Sequence, residues 1–436
     1  MLRSDEAVNL PCGTGVSPVR TALESEDRQH GRDAHATGRV VRTTARNICF
    51  VTGTRAEFGL MRPVLRGLRD HPKLSLQLIA TGMHLDPAHG SGVQAIEQDG
   101  WTIDRVVPWE AGSGCDRSTT ARNTGLATTG LAKAFSELSP DVVLVTGDRV
   151  EALAAATAAH LCGCVVAHIH GGDRAAGQAD DCLRHAISKL SHIHFPATRQ
   201  SAQRLFKLGE DKWRIHLAGS PGLDGITSDA APSEEVEAAV GPLKARRYAL
   251  VVLHPVDADQ KLESERARML LDAVSEIPFE QILMVYPNND PGCGGIIRVW
   301  DELARQARPV LPPWGKDGRF RLERDLPRPI FLGLMRDAAV LIGNSSSGII
   351  EAASFRTPVL DVGPRQKGRE RGDNVANVPY STSRLRSELA RIWNNGRPKR
   401  ATSGNIYGGG GAAKIITSML ANLTIDDRLL RKLIRY

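Results

Sequence analysis

Beyond residue 46 the chain alternates between short apolar runs and longer segments with apolar positions at helical spacing, separated by glycine- or serine-rich breaks. Runs at 48–52, 75–80, 142–146, 165–169, 192–197 and 213–217 read as strands of a first set. The first ends in Gly53-Thr54-Arg55-Ala56-Glu57-Phe58-Gly59 and leads into a helix-like stretch at 60–69; the alanine-rich 151–161 reads as a second helix. Gly, Pro, Asp and Ser cluster at 220–240, and the rhythm then restarts with runs at 248–253, 281–286, 340–342 and 359–362. Strands buried on both faces read as unbroken apolar runs. Strands alternating with helices imply right-handed βαβ units and mainly parallel sheets. The pattern predicts an α/β protein of two Rossmann-like domains facing a cleft, alike in architecture but with no sequence repeat between them. Residues 1–45 lack any sustained apolar period and read as a disordered extension.

Composition narrows the choice of partner. At 436 residues, with 41% hydrophobic and 24% charged side chains, the chain is long enough for two or three soluble domains. Its net charge of +7 suits an anionic ligand. Aromatics make up only 5% and no basic run is interleaved with them, which argues against nucleic acid. Cys12, Cys49, Cys115, Cys162, Cys164, Cys182 and Cys293 form no metal-ligand spacing, so reduced thiols are expected rather than zinc or a disulfide framework. No apolar run approaches the roughly 20 residues of a membrane span, and residues 1–45 lack the apolar centre of a signal peptide. A cytoplasmic protein with no membrane partner is expected.

The candidate chemistry gathers behind strand-like runs, where open parallel sheets place their ligands. Gly147-Asp148-Arg149 follows one run, and His168-Ile169-His170-Gly171-Gly172-Asp173-Arg174 ends the next. Asp180-Asp181, Arg184-His185 and Ser191-His192-Ile193-His194 come after. Crowded carboxylates raise one another's pKa, and His170 and His185 bring groups that titrate near neutrality. Proton transfer is one reading; metal binding, or ion pairs to Arg149, Arg174 and Arg184, is the other. Gly53-Thr54-Arg55 can approach a phosphate through backbone and guanidinium, or be a plain turn. Asn344-Ser345-Ser346-Ser347-Gly348 offers a phosphate cradle at the start of a helix, with Glu351 one turn on; a helix cap alone would need one serine. His254-Pro255 closes a buried-looking run. In the basic loop of Arg365, Lys367, Arg369 and Arg371 solvent exposure is the simplest expectation.

In order along the chain, Gly53-Thr54-Arg55-Ala56-Glu57, Gly147-Asp148-Arg149, Gly171-Gly172, Asp180-Asp181 with Arg184-His185-Ala186, Gly219-Ser220-Pro221-Gly222, His254-Pro255, Tyr286-Pro287-Asn288 and Asn344-Ser345-Ser346-Ser347-Gly348 resemble the UDP-N-acetylglucosamine 2-epimerases, their hydrolysing branch in particular. The likeness spans residues 47–383. It implies a glycosyltransferase-B fold: a first domain over 46–225 carrying the catalytic acids, a UDP-binding domain over 226–405, and helices in 406–436 packing back on the first. It implies that Ser345, Ser346, Ser347, Gly348, His254 and Asn288 hold UDP, that Arg55 approaches the diphosphate and that Glu351 takes the ribose. Asp148, His170, Asp173, Asp180, Asp181 and His185 become the catalytic candidates. The family chemistry removes the C2 proton, expels UDP to leave a 2-acetamidoglycal and, in the hydrolysing branch, adds water to give N-acetylmannosamine for sialic-type acids. The resemblance implies a UDP-sugar as substrate, no cofactor or metal, and a homo-oligomer, dimer or tetramer. Several members carry Glu where this chain has His170, the acid standing here at Asp173. The C2 base and the sugar therefore stay open, with UDP-2,4-diacetamido-2,4,6-trideoxyglucose of the legionaminic acid route as the second substrate. A non-hydrolysing epimerase, a UDP-sugar glycosyltransferase and a UDP-sugar sensor are the remaining alternatives.

Overall fold

The computed structural model describes residues 45–85, 92–110, 117–174, 180–287, 290–306, 319–324 and 326–433. The predicted N-terminal extension and Asn288 lie outside these. Two six-stranded parallel sheets organise the chain. The first is built from β1 (Arg46–Thr52), α1 (Arg55–Arg69), β2 (Leu74–Ala80), α2 (Gly92–Gln98), β3 (Arg105–Val106), α3 (Arg117–Leu138), β4 (Val142–Thr146), α4 (Val150–Leu161), β5 (Val165–Ile169), α5 (Asp180–Leu190), β6 (Ile193–Phe195) and α6 (Arg199–Lys207). The second follows with α7 (Ser233–Val240), β7 (Tyr248–Val252), α8 (Gln260–Ser275), β8 (Gln281–Val285), α9 (Cys293–Gln306), β9 (Phe320–Glu323), α10 (Arg328–Asp337), β10 (Val340–Gly343), α11 (Ser346–Ile350), β11 (Val359–Val362), β12 (Val375–Val378) and α12 (Thr382–Trp393). Two helices close the chain, α13 (Ala412–Asn422) and α14 (Asp427–Leu430).

The strand orders are β3-β2-β1-β4-β5-β6 and β12-β11-β10-β7-β8-β9. Numbered from its own first strand, each sheet has the doubly wound order 3-2-1-4-5-6, so the halves are two Rossmann-like domains. Each order reverses at one switch point, between β1 and β4 and between β7 and β10. The central strands are apolar because both faces are covered: Ile48, Phe50, Val142 and Leu144 face a core shared with α1 and α13, while Cys49, Val51, Val143 and Val145 face α3 and α4. Among the described residues no helix is long and apolar enough to cross a membrane.

The last two helices lie against the first sheet's domain. Ala412, Ile416, Leu420, Leu423 and Leu429 join its core. Arg46 at the start of β1 donates to the carbonyls of Leu420 and Leu423. Buried Arg214 donates to the carbonyls of Arg428 and Leu429 at 2.8 Å each.

Three readings of the pattern need correction. Residues 213–217 form no strand: Lys212–Arg214 is a 3-10 turn, and a single bridge joins His194 to Ile215. The apolar face of that run is Trp213, which stacks under Arg214 and Arg428 and docks the C-terminal tail. The helix placed at 60–69 begins at Arg55, because Thr54 accepts the Glu57 N–H at 3.2 Å while the Glu57 carboxylate returns to the Gly53 N–H at 2.8 Å. That reciprocal cap turns the whole Gly53–Gly59 stretch into a helix start. The strands β3, β9 and β12 escaped notice; they are short and carry Arg105, Arg321, Glu323 and Asn377.

Candidate active site

Residues singled out from the sequence lie at both switch points, Arg55 and Asp148 beyond β1 and β4, and His254 and Ser345 beyond β7 and β10. On the first sheet, β4 ends at Thr146 and β5 at Ile169, and the turns after them carry Asp148 and His170. His168, fully buried on β5, fixes the two turns to each other through Nε2 on the Gly147 carbonyl at 2.8 Å. A carbonyl only accepts, so Nε2 carries the hydrogen and Nδ1 accepts from the Ser188 hydroxyl at 3.1 Å. Burial pushes the His168 pKa down to about 3, so the ring stays neutral. Arg184 on α5 pairs with Asp148 and donates to the His170 carbonyl at 3.1 Å. The ion-pair reading of the sequence thus holds for Arg184, whereas Arg149 pairs with buried Glu151.

After β5 the chain makes an unusual turn. His170 has φ +63, a conformation that L-residues seldom adopt and that tends to persist only where its surroundings enforce it. Gly172 follows with φ +77, and a Cβ there would lie 2.3 Å from the Ser201 carbonyl oxygen. The paired glycines let the strand end fold back until the Asp173 carboxylate meets its own turn. Asp173 Oδ2 accepts from His170 Nδ1 at 2.9 Å, and Oδ1 accepts from the Ser201 hydroxyl at 2.7 Å. Burial alone would raise the Asp173 pKa. The hydrogen bond and charge of His170, with Arg184 and Arg369, overcome it and hold the carboxyl well below the usual carboxylate range. The other ring nitrogen of His170 meets the Ser220 hydroxyl at 3.2 Å.

Asp180 and Asp181 open α5, and His185 stands next to Arg184 on that helix. The Asp180 side chain lies outside the description. Arg55 is the first residue of α1 and is exposed beside the β1 switch point. Glu57 there is pushed up to about 7 by burial and by Glu151, despite the Gly53 N–H and Arg149.

On the second sheet Asn344 organises the cradle. Its side-chain oxygen accepts the His254 N–H and its amide donates to the His254 carbonyl, both at 2.8 Å. The ends of β7 and β10 are thereby clamped. Ser345 is the cap of α11, its hydroxyl lying 3.4 Å from the Ser347 N–H and 2.6 Å from the Ser347 hydroxyl. Ser346 and Gly348 occupy the same short helix. Gly348 is packed so closely that a Cβ would press on Leu341 and Val359 at 3.1 Å. Burial, then Arg365, lower the His254 pKa to about 4. Glu351 is buried and paired with Arg328 at 2.6 Å, its pKa raised by burial.

Two sets of contacts join the domains beside these clusters. Arg328 also donates to the Gly222 carbonyl at 2.9 Å, linking Glu351 to the turn that carries Ser220. In the basic loop, Glu370 accepts from Thr198 at 2.6 Å and Arg204 at 3.2 Å. Arg371 pairs with Asp361, and Arg365 with Asp290. Glu370 thus makes part of the loop an inter-domain clasp and its arginines are half-buried, while Lys367 is exposed as expected. Sequence reasoning assigned no part to Ser220, His168, Asn344, Arg328 or Glu370. The first three lie inside motifs that it had marked, which was the available signal.

A protein-family model described as UDP-N-acetylglucosamine 2-epimerase matches residues 66–421. A curated relative, the UDP-N,N'-diacetylbacillosamine 2-epimerase (hydrolyzing) of Legionella pneumophila, is 37% identical over 388 residues, covering 89% of this chain and 98% of its own length. A UDP-N-acetylglucosamine 2-epimerase of Neisseria meningitidis serogroup B is 35% identical over 341 residues, 78% of this chain and 85% of the relative. Among solved structures, UDP-GlcNAc 2-epimerase from Neisseria meningitidis bound to UDP-GlcNAc aligns with a TM-score of 0.72 at 19% identity, covering 86% of this chain and 99% of that one. At that identity the likeness speaks for the shared fold, of the glycosyltransferase-B kind.

Proposed function

This chain belongs to the UDP-N-acetylglucosamine 2-epimerase family, and on that footing we propose that it is a hydrolysing 2-epimerase of a UDP-linked 2-acetamido sugar. The observation that carries the hydrolysing outcome is the 37% identity extending over 98% of a relative named for that reaction. The same relative makes UDP-N,N'-diacetylbacillosamine, a 2,4-diacetamido-2,4,6-trideoxy sugar, the first substrate to test. UDP-N-acetylglucosamine is the second, on the strength of the relative at 35% identity.

The residues divide the work between the two switch points. Ser345, Ser346, Ser347 and Gly348 present hydroxyls and backbone N–H groups to the diphosphate, with neutral His254 as a donor and Arg55 as the cation; Asn288 is a further candidate. Glu351, released from or shared with Arg328, takes the ribose hydroxyls. A C2 proton without an adjacent carbonyl is a weak acid, so charge must be relieved at the departing UDP as that proton leaves. His170, supported by Asp173, and the carboxylates of Asp148, Asp180 and Asp181 exchange protons with C2 and with water, with His185 one turn after Asp181 on α5. Elimination and hydration leave the oxidation level unchanged, and no redox cofactor is needed.

Proton NMR in D₂O with each UDP-sugar tests this. The expected result is free UDP together with the C2-deuterated 2-epimer of the free sugar. A UDP-linked epimer that accumulates without hydrolysis would mean a non-hydrolysing enzyme, and an unchanged UDP-sugar would turn attention to a transferase or a sensor.

A further inference from the structure

The Ser220 hydroxyl is buried against the imidazole of His170. It stands at the cap position before the 3-10 turn Pro221–Leu223 and is 4% exposed. Its partner is His170, fifty positions earlier in the chain. Asp173 is held as a carboxylate and can only accept, so His170 Nδ1 carries a hydrogen. In the neutral ring, Nε2 is then a lone pair, and the hydroxyl 3.2 Å away donates to it. The result is a serine, an imidazole and a carboxylate connected in that order, the same connectivity that activates hydroxyls in acyl transfer.

Both ring nitrogens are thereby engaged. The arrangement is held from several sides: Ser201 occupies the second Asp173 oxygen, Arg184 holds the His170 carbonyl, and the Ser220 N–H donates to the Tyr407 carbonyl at 2.8 Å. His170 also keeps its positive φ, a strained conformation that the surrounding contacts must support.

We propose that Ser220, His170 and Asp173 form a proton relay in which Ser220 Oγ is the atom that meets the substrate's C2 hydrogen. This rests on the epimerase reading above. As the C2–H bond breaks, its proton passes to Ser220 Oγ while the Ser220 proton passes to His170 Nε2. The C–H electron pair becomes the C1–C2 double bond, the C1–O bond breaks, and its electrons leave on UDP. The imidazolium remains beside the Asp173 carboxylate until it loses its proton to solvent. Ser220 is the catalytic residue of the relay, and Asp173 positions the ring and stabilises its charged form.

Two measurements decide it. In Ser220→Ala, kcat should fall about 100-fold, with the UDP dissociation constant held within about twofold and with Ser220→Thr recovering most of the loss. In ¹⁵N spectra of the full-length protein, the wild-type His170 ring should be protonated at Nδ1 with a hydrogen-bonded, unprotonated Nε2. The Nε2 signal alone should move in Ser220→Ala. An unchanged kcat in that variant, or a proton on Nε2 of the neutral wild-type ring, would overturn the relay. If the wild type turned over neither UDP-sugar, the epimerase reading would fall, and the nitrogen spectrum would still decide whether Ser220 donates to His170.

Discussion

Asn344 clamps two strand ends with a group that carries no charge. Its oxygen faces the His254 N–H and its amide faces the His254 carbonyl, so the orientation of the amide is fixed. Asn344→Asp keeps the shape but sets an anion against that carbonyl and beside the proposed diphosphate cradle. Denaturant unfolding should show a loss of about 2 kcal/mol, and titration calorimetry should show UDP binding at least about tenfold weaker. The acids and histidines at the ends of β4 and β5 were legible in the sequence because unusual side chains there stand out against apolar runs. The Ser220–His170 contact was not, since it joins residues fifty apart and depends on a positive-φ turn that no composition rule anticipates. The proposed cradle stood out in the sequence as a run of three serines, of which Ser345 is the ordinary helix cap.

Among the elements, the central strands announced themselves because both their faces are buried, whereas the three missed strands carry polar residues too short in run to show alternation. Helix α1 was misread at its start because its cap lies inside the glycine motif. The C-terminal tail holds a buried charge cluster that patterning could not supply. Lys432 donates to the carbonyls of Ser188, Lys189 and Ser191 at 2.7–3.0 Å and pairs with Glu210 at 2.7 Å. Glu210 is fully buried against His194 and Lys189, and although burial alone would raise its pKa, His194 and Lys432 bring it down to about 2. Lys432→Met leaves the carboxylate partly uncompensated and the last carbonyls of α5 without their donor. Its urea midpoint should drop by the equivalent of about 3 kcal/mol, the scale for breaking a buried pair. An unchanged midpoint would mean that Lys189 and His194 suffice.

Across the whole molecule, several histidines are neutral because they are buried. Burial lowers His84, His192 and His254 to about 4 and His168 to about 3, from an ordinary 6.5. Each binds fewer protons folded than unfolded between those values. Their contribution is therefore complete above pH 6.5 and is lost as the pH falls towards 4, by up to about 1.4 kcal/mol per pH unit for each ring. Thermal melts from pH 7.5 to 4.5 should show the melting temperature falling throughout the lower part of that range; a flat profile would show that these rings are protonated in the native state. At the same scale, two distant stretches of the chain are tied to each other beside His170. The stretch that follows the first sheet, around residues 220–224, is fastened to the stretch that leads into α13. Ser220 binds Tyr407, and the Asp224 carboxylate accepts the N–H groups of Ala412 and Ala413 at 2.9 and 2.6 Å. Ser220 is thus knotted at its N–H to the returning chain and at its hydroxyl to His170, so whatever loosens the return at Tyr407 also loosens the imidazole.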